Sequence, residues 1–296
     1  MPAAWPHHDT KSPSTPVLQS GKCLAKIFTA FSMVIIAAAS IGATAVEYVA
    51  IPAGSITSVL ANDASPGATP VGAFSIRATP VTNDEFLSYV KAHREWQRGR
   101  APTVFADASY LNGWRSPTLP GEASRARQPV TSVSWFAAQA FCESEGARLP
   151  TWVEWEYVAA ADETKTDARS DPAWRARILS WYARSSSTPL AAVGGAANVY
   201  GVRDVHGLIW EWVDDFNALL VSADSRNQGD PDKLQFCGAG AISLKDRDNY
   251  AVLMRIALLS SLNAADTTNN LGFRCARSGS STATASAITL PTKEQP

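Results

Sequence analysis

Net charge is nearly absent from this chain. Its 26 Lys and Arg oppose 27 Asp and Glu, for a formal charge of −1. Nothing electrostatic favours nucleic acid or an anionic surface as a partner. Histidine is scarce, with four in 296 residues. His7 and His8 precede an apolar leader, and neither His93 nor His206 stands in an H-x-D/E pattern. An iron site held by three imidazoles is therefore excluded. Cysteine also numbers four, with none between Asp246 and Asn270. No repeat of solenoid period is present. What is abundant is apolar and aromatic: 46% hydrophobic residues, 10 Trp and 18 Gly. That is enough for one large domain or two small ones, and it suggests a turn-rich fold built around aromatic anchors.

The first 45 residues read as a leader. Lys11, Lys22 and Lys26 precede the apolar run Ile27–Ala45, which ends in Ala43-Thr44-Ala45. This is the pattern of a secretory signal cut before Val46. The run also approaches spanning length, so an uncleaved anchor in the inner membrane is the alternative. Both readings place the domain outside the cytoplasm, periplasmic or secreted. In an oxidising compartment Cys142, Cys237 and Cys275 favour one disulfide and one odd thiol.

The domain is expected over residues 46–277, followed by a disordered tail, 278–296, rich in Ser, Thr and Ala. Val46–Ile51 and Phe74–Thr79 read as strands, with Pro52-Ala53-Gly54 as a turn. Helices are expected over Glu85–His93 after Thr82 or Asn83, from Ser134 to Glu145 with Gly146 as its stop, and over Trp152–Ala161. Thr151 and Glu154 form a capping-box pattern for the last. Residues 162–180 read as charged and peripheral, 189–198 as loop or strand, and 216–232 as loop. The glycines of Phe236–Ala241 argue against a helix there.

Several motifs then follow in order: Val46–Gly54, Pro80–Phe86, Pro129-Val130 with Val133-Ser134-Trp135, Phe141-Cys142, Arg148–Thr151 with Glu154–Tyr157, Asn198–Trp212 (NVYGVRDVHGLIWEW) and Asn270–Cys275 (NLGFRC). In these elements the chain resembles the formylglycine-generating enzyme, or sulfatase-modifying factor, superfamily across nearly the whole domain. The resemblance implies an α+β fold, related to C-type lectins, with much irregular coil. It implies a structural Ca²⁺ at Asp204, Gly207, Ile209 and Glu211, whose hard oxygen donors suit that ion. Plain hydrogen bonding of the two carboxylates to turn amides is the alternative. Leu208 stands where the family usually has Asn. The resemblance also implies a disulfide between Cys142 and Cys275.

Formylglycine-generating enzymes hold Cu(I) with two thiolates five residues apart. Counted back from NLGFRC, those positions are Ala251 and Ile256, so a copper pair site and formylglycine generation are not expected. The pocket candidates left are Cys237, Asp248, Tyr250 and Arg255. Cys237 reads as a reactive thiol, a copper ligand or a small buried hydrophobe. The other three read as proton-transfer, radical or anion-binding groups, or as an ion pair and a core aromatic. Three functions follow from the resemblance. One is an accessory or maturation role toward a periplasmic redox enzyme of nitrite reductase type, as in the NirV-like proteins, which Phe236–Ser261 resembles. The second is an oxidase acting on a small-molecule substrate, cofactor-independent or dependent on Cys237, as in pyoverdine maturation. The third is a lectin-like ligand-binding module. No nucleic-acid partner is expected, and membrane contact only through an uncleaved leader.

Overall fold

A computed structural model describes residues 46–58, 68–121, 125–183, 189–219 and 250–279. The leader and the segment 220–249 lie outside the described residues, and the expected tail is described only at Ser278 and Gly279. Among the described residues no helix is long and apolar enough to cross a membrane.

The strands are β1 (Tyr48–Ile51), β2 (Gly54–Ile56), β3 (Thr69–Val71), β4 (Phe74–Arg77), β5 (Trp210–Glu211), β6 (Leu271–Gly272) and β7 (Ala276–Ser278). The helices are α1 (Asn83–Ala92), α2 (Trp135–Ser144), α3 (Trp152–Ala159), α4 (Pro172–Tyr182) and α5 (Tyr250–Ser260). This is an α+β fold. β4 lies at the centre of an antiparallel sheet, flanked by β1 and β7. β2 pairs antiparallel with β3, and β5 pairs parallel with β6.

Helix starts follow their capping residues. Thr82 accepts from the Glu85 amide while the Glu85 carboxylate accepts from the Thr82 amide, at 2.7 Å. Thr151 and Glu154 repeat the arrangement at α3. Ser134 caps α2 through the Ala137 amide. Each such cap contributes about 1 kcal/mol. The core between these elements is aromatic: Phe86, Phe141 and Phe273 meet with centroids 5.4–6.1 Å apart. Beside them Arg77 is buried between Glu85 and Glu145. The disulfide Cys142–Cys275 ties α2 to the residue before β7, with 5.4 Å between Cα atoms.

Three elements depart from the sequence reading. The first is α4, within a stretch read as charged and peripheral. Asp171 caps its first turn ahead of Pro172, and Trp174 and Ile178 bury its inner side. The signal for it was a cap followed by proline at the first helical position. The second is α5, which the sequence reading did not include among its helices; its sequence YAVLMRIALLS consists largely of good helix formers. The third is the β2–β3 pair, where Gly54 opens a strand. A Cβ at Gly54 would collide with the Tyr157 hydroxyl, so its glycine serves close approach to α3 as well as the chain's turn. The sheet also runs on to Ser278, and the Gly279 amide donates to Ala73 O.

Candidate functional site

The segment Asn198–Trp212 is held by its own polar side chains. The Asn198 carboxamide accepts from the Tyr200 and Val202 amides, both at 3.1 Å, and donates to Val158 O at 3.0 Å. Asp204 adopts a left-handed backbone, with φ of 57°. Its two carboxylate oxygens accept from the amides of Gly194 and Gly195, at 2.7 and 3.1 Å. Gly207 has a φ of 83°, and a Cβ there would lie 2.5 Å from the Trp181 ring. Glycine is required at this point on both counts.

Glu211 is fully buried. Its carboxylate takes two bonds from Arg274, Nε to Oε2 and Nη2 to Oε1, each 2.8 Å, and one from Trp155 Nε1 at 3.0 Å. Arg274 is equally buried, and it also reaches Arg203 O at 2.9 Å. A bidentate guanidinium–carboxylate pair of this kind is among the stronger charged contacts a protein makes.

This donor set bears on the expected Ca²⁺. That ion takes six to eight oxygens. Here Asp204 serves the 194–195 turn, and the charge of Glu211 is already compensated by Arg274. Among the described residues no group of three or more His, Cys, Asp and Glu is placed to hold a metal. As arranged, the side chains of Asp204 and Glu211 do not fit a shared cation, and the positive charge beside Glu211 belongs to Arg274. Gly207 and Ile209 serve as wall and core on the same turn.

His206 occupies an aromatic cage. Its ring meets Trp155 and Trp174 edge-on, at 5.7 and 5.5 Å, and stacks near Trp181 at 6.5 Å. Nε2 donates to Ala159 O at 2.8 Å, which fixes the proton on that nitrogen. Burial pushes its pKa down to about 4. Below an unfolded value near 6.5, the unfolded chain therefore binds a proton that the folded chain refuses. Stability from this group is complete above about pH 6.5 and drains away as pH falls toward 4. The loss reaches about 3 kcal/mol. Replacing His206 by Gln keeps a donor for Ala159 O and removes the titration. Urea midpoints measured between pH 7 and 4.5 are expected to fall more steeply for the wild type than for H206Q; parallel slopes would refute the assignment.

Among the other sequence candidates, Cys237 and Asp248 lie outside the described residues, and Tyr250 is the first residue of α5. Arg255 is buried, its guanidinium 3.5 Å from the Trp155 ring centroid and donating to Glu211 O. It braces the same centre as Arg274. Of the two positions where the resemblance implies copper thiolates, both fall on α5, and Ile256 is packed into the core with Val252 and Leu259.

One open feature was missed by sequence reasoning: a cleft of about 430 Å³ beside residues 207–212, the glycine–tryptophan turn. Trp114, Trp181 and Trp210 line it, together with Asn112, Gln128 and Asn270. No periodicity marks these positions, because they come from five separate stretches, three of them coil and the others the end of α4 and the start of β5. The backbone offered one cue only after folding: Leu111 and Ser132, neither glycine, adopt φ of 50° and 56° at its edge.

With the site described, its class is clear: an α+β domain of the formylglycine-generating-enzyme type, built on a buried Glu–Arg pair under a glycine–tryptophan turn. Residues 37–279 match the family described as the sulfatase-modifying factor enzyme 1-like domain, and the chain belongs to that family. It is 31% identical over 159 residues to hercynine oxygenase of Mycobacterium tuberculosis, a match covering 48% of this chain and 37% of that protein. It is 30% identical over 253 residues to the formylglycine-generating enzyme of Streptomyces coelicolor, covering 69% of this chain and 77% of that one. Among solved structures, PvdO from Pseudomonas aeruginosa superposes with a TM-score of 0.44 at 18% identity, covering 79% of this chain and 94% of its own.

Proposed function

We propose that this protein keeps the scaffold of its family without copper-dependent formylglycine generation, and that it works outside the cytoplasm as an accessory or maturation factor for a redox enzyme of nitrite reductase type. The observation that carries the first part is α5. The two positions counted back from NLGFRC are Ala251 and Ile256, on a helix whose buried side packs into the core. A methyl and a sec-butyl group cannot ligate Cu(I), which selects thiolate or thioether. The compartment follows from the leader pattern at residues 27–45.

Two measurements test the reading. Cu(I) competition and oxygen uptake with a cysteine-bearing sulfatase peptide are expected to give no stoichiometric copper and no formylglycine. One copper per chain, lost in Cys237→Ala, would replace this proposal by a thiol-dependent oxidase. The accessory role predicts that a co-expressed periplasmic copper nitrite reductase reaches lower metal occupancy when this chain is deleted. Equal occupancy with and without it would refute that role.

A further inference from the structure

The cleft beside the glycine–tryptophan turn has an inventory of polar groups that points to a ligand class. The Asn112 Oδ1 accepts from Ser132 at 3.1 Å, which leaves its amide hydrogens for the cleft. Asn270 Oδ1 accepts from the Thr268 hydroxyl at 2.9 Å, with the same result. Gln128 Nε2 donates to Leu190 O at 2.5 Å, leaving its carbonyl oxygen as an acceptor. Thr131 adds a hydroxyl. Each amide is thus pinned at one end and presents the other, an arrangement that lowers the ordering cost of binding. Ser132, buried and held with φ of 56°, fixes Asn112, and its carbonyl accepts from the Leu111 amide at 2.8 Å. Two adjoining non-glycine residues in left-handed conformations mark stored strain, which concentrates at functional positions.

The remaining lining narrows the choice. Among the described residues that line the cleft none is a carboxylate, and Arg125 is the single charged side chain. The volume of about 430 Å³ suits a small ligand. An extended peptide would look for free main-chain groups. Three amides at or next to its border are spent inside the fold: Val130 on Val81 O, Ser132 on Thr268 O and Trp210 on Asn270 O. The side chains of the cleft offer indole surface beside neutral amides and a hydroxyl. Sugar rings match this, because they carry an apolar C–H face with equatorial donors and acceptors around it.

We propose that the cleft binds a short neutral saccharide, its rings set against the tryptophan-lined wall and its hydroxyl or acetamido groups read by Asn112, Asn270, Gln128 and Thr131. This goes beyond the accessory role and does not rest on it. The test is calorimetric titration of the full chain with two tetrasaccharides, of N-acetylglucosamine and of glucose, with a cysteine-bearing peptide as control. At least one sugar is expected to bind with a submillimolar Kd and to quench tryptophan fluorescence. Asn112→Asp keeps the acceptor for Ser132 and removes the donors. On an exposed residue it is expected to leave the melting temperature unchanged and weaken binding about 10-fold, as for loss of a ligand hydrogen bond. Asn270→Asp makes the same change on the opposite wall. Absence of binding by both sugars at millimolar concentration, binding of the peptide alone, or wild-type affinity in both variants would each overturn the proposal. Copper loading and nitrite reductase maturation are measured separately, so either idea can fail alone.

Discussion

Replacing Cys142 and Cys275 together by alanine is expected to lower the melting temperature by roughly 10–20 °C. The bridge spans 133 residues, and both sulfurs are buried. On the chain-entropy estimate, closing a loop of that length removes about 5 kcal/mol of freedom from the unfolded state. For a domain of this size each kcal/mol moves the midpoint by about 2–4 °C. Reduction of the wild-type protein tests the same term without altering buried volume. A shift under about 2 °C in both experiments would mean that the bridge constrains little.

Glu211→Gln is expected to cost about 3–5 kcal/mol, because it leaves the Arg274 guanidinium buried without its counter-charge. Arg274→Met strands the carboxylate instead and should cost a similar amount. The pair Glu211→Gln with Arg274→Met removes both charges, so the double variant should lose less than the two single losses together. A coupling of at least about 2 kcal/mol in a double-mutant cycle is the expected reading. Recovery is incomplete, since Arg274 also satisfies Arg203 O. Strict additivity would show that the two residues act independently. The same arrangement predicts that EDTA leaves the melting curve of the wild type in place. A midpoint that climbs with added Ca²⁺ would identify a cation contributing beyond the ion pair.

Much of this architecture was legible in the amino-acid order. Thr82, Ser134 and Thr151 announced their helices because a capping residue and its amide lie within one turn, where local chemistry decides. The resemblance carried the Cys142–Cys275 pairing that the structure contains, and no local signal would have supplied it. The role of Glu211 was less legible. Its carboxylate suited a metal as well as it suited a guanidinium, and Arg274 sits 63 residues away. α5 is marked only by its helix formers, and the polar run Asp246–Asn249 directly ahead of it resembles a loop. The cleft was invisible for a different reason: Asn112, Gln128 and Asn270 are brought together only by coil, whose path no periodicity encodes.

The central position of β4 has a consequence for how the chain acquires its shape. β4 finds one neighbour in β1, close by in sequence, and the other in β7, while Arg274 reaches Arg77 O across 197 residues. Cys275 and Arg274, which lock α2 and Glu211, belong to the same late stretch. A ribosome adding about 5–20 residues per second would therefore hold a half-built polypeptide for many seconds before its keystone arrives. Pairings so distant in sequence also close slowly. Until then β4 lacks its second neighbour and Glu211 its counter-charge.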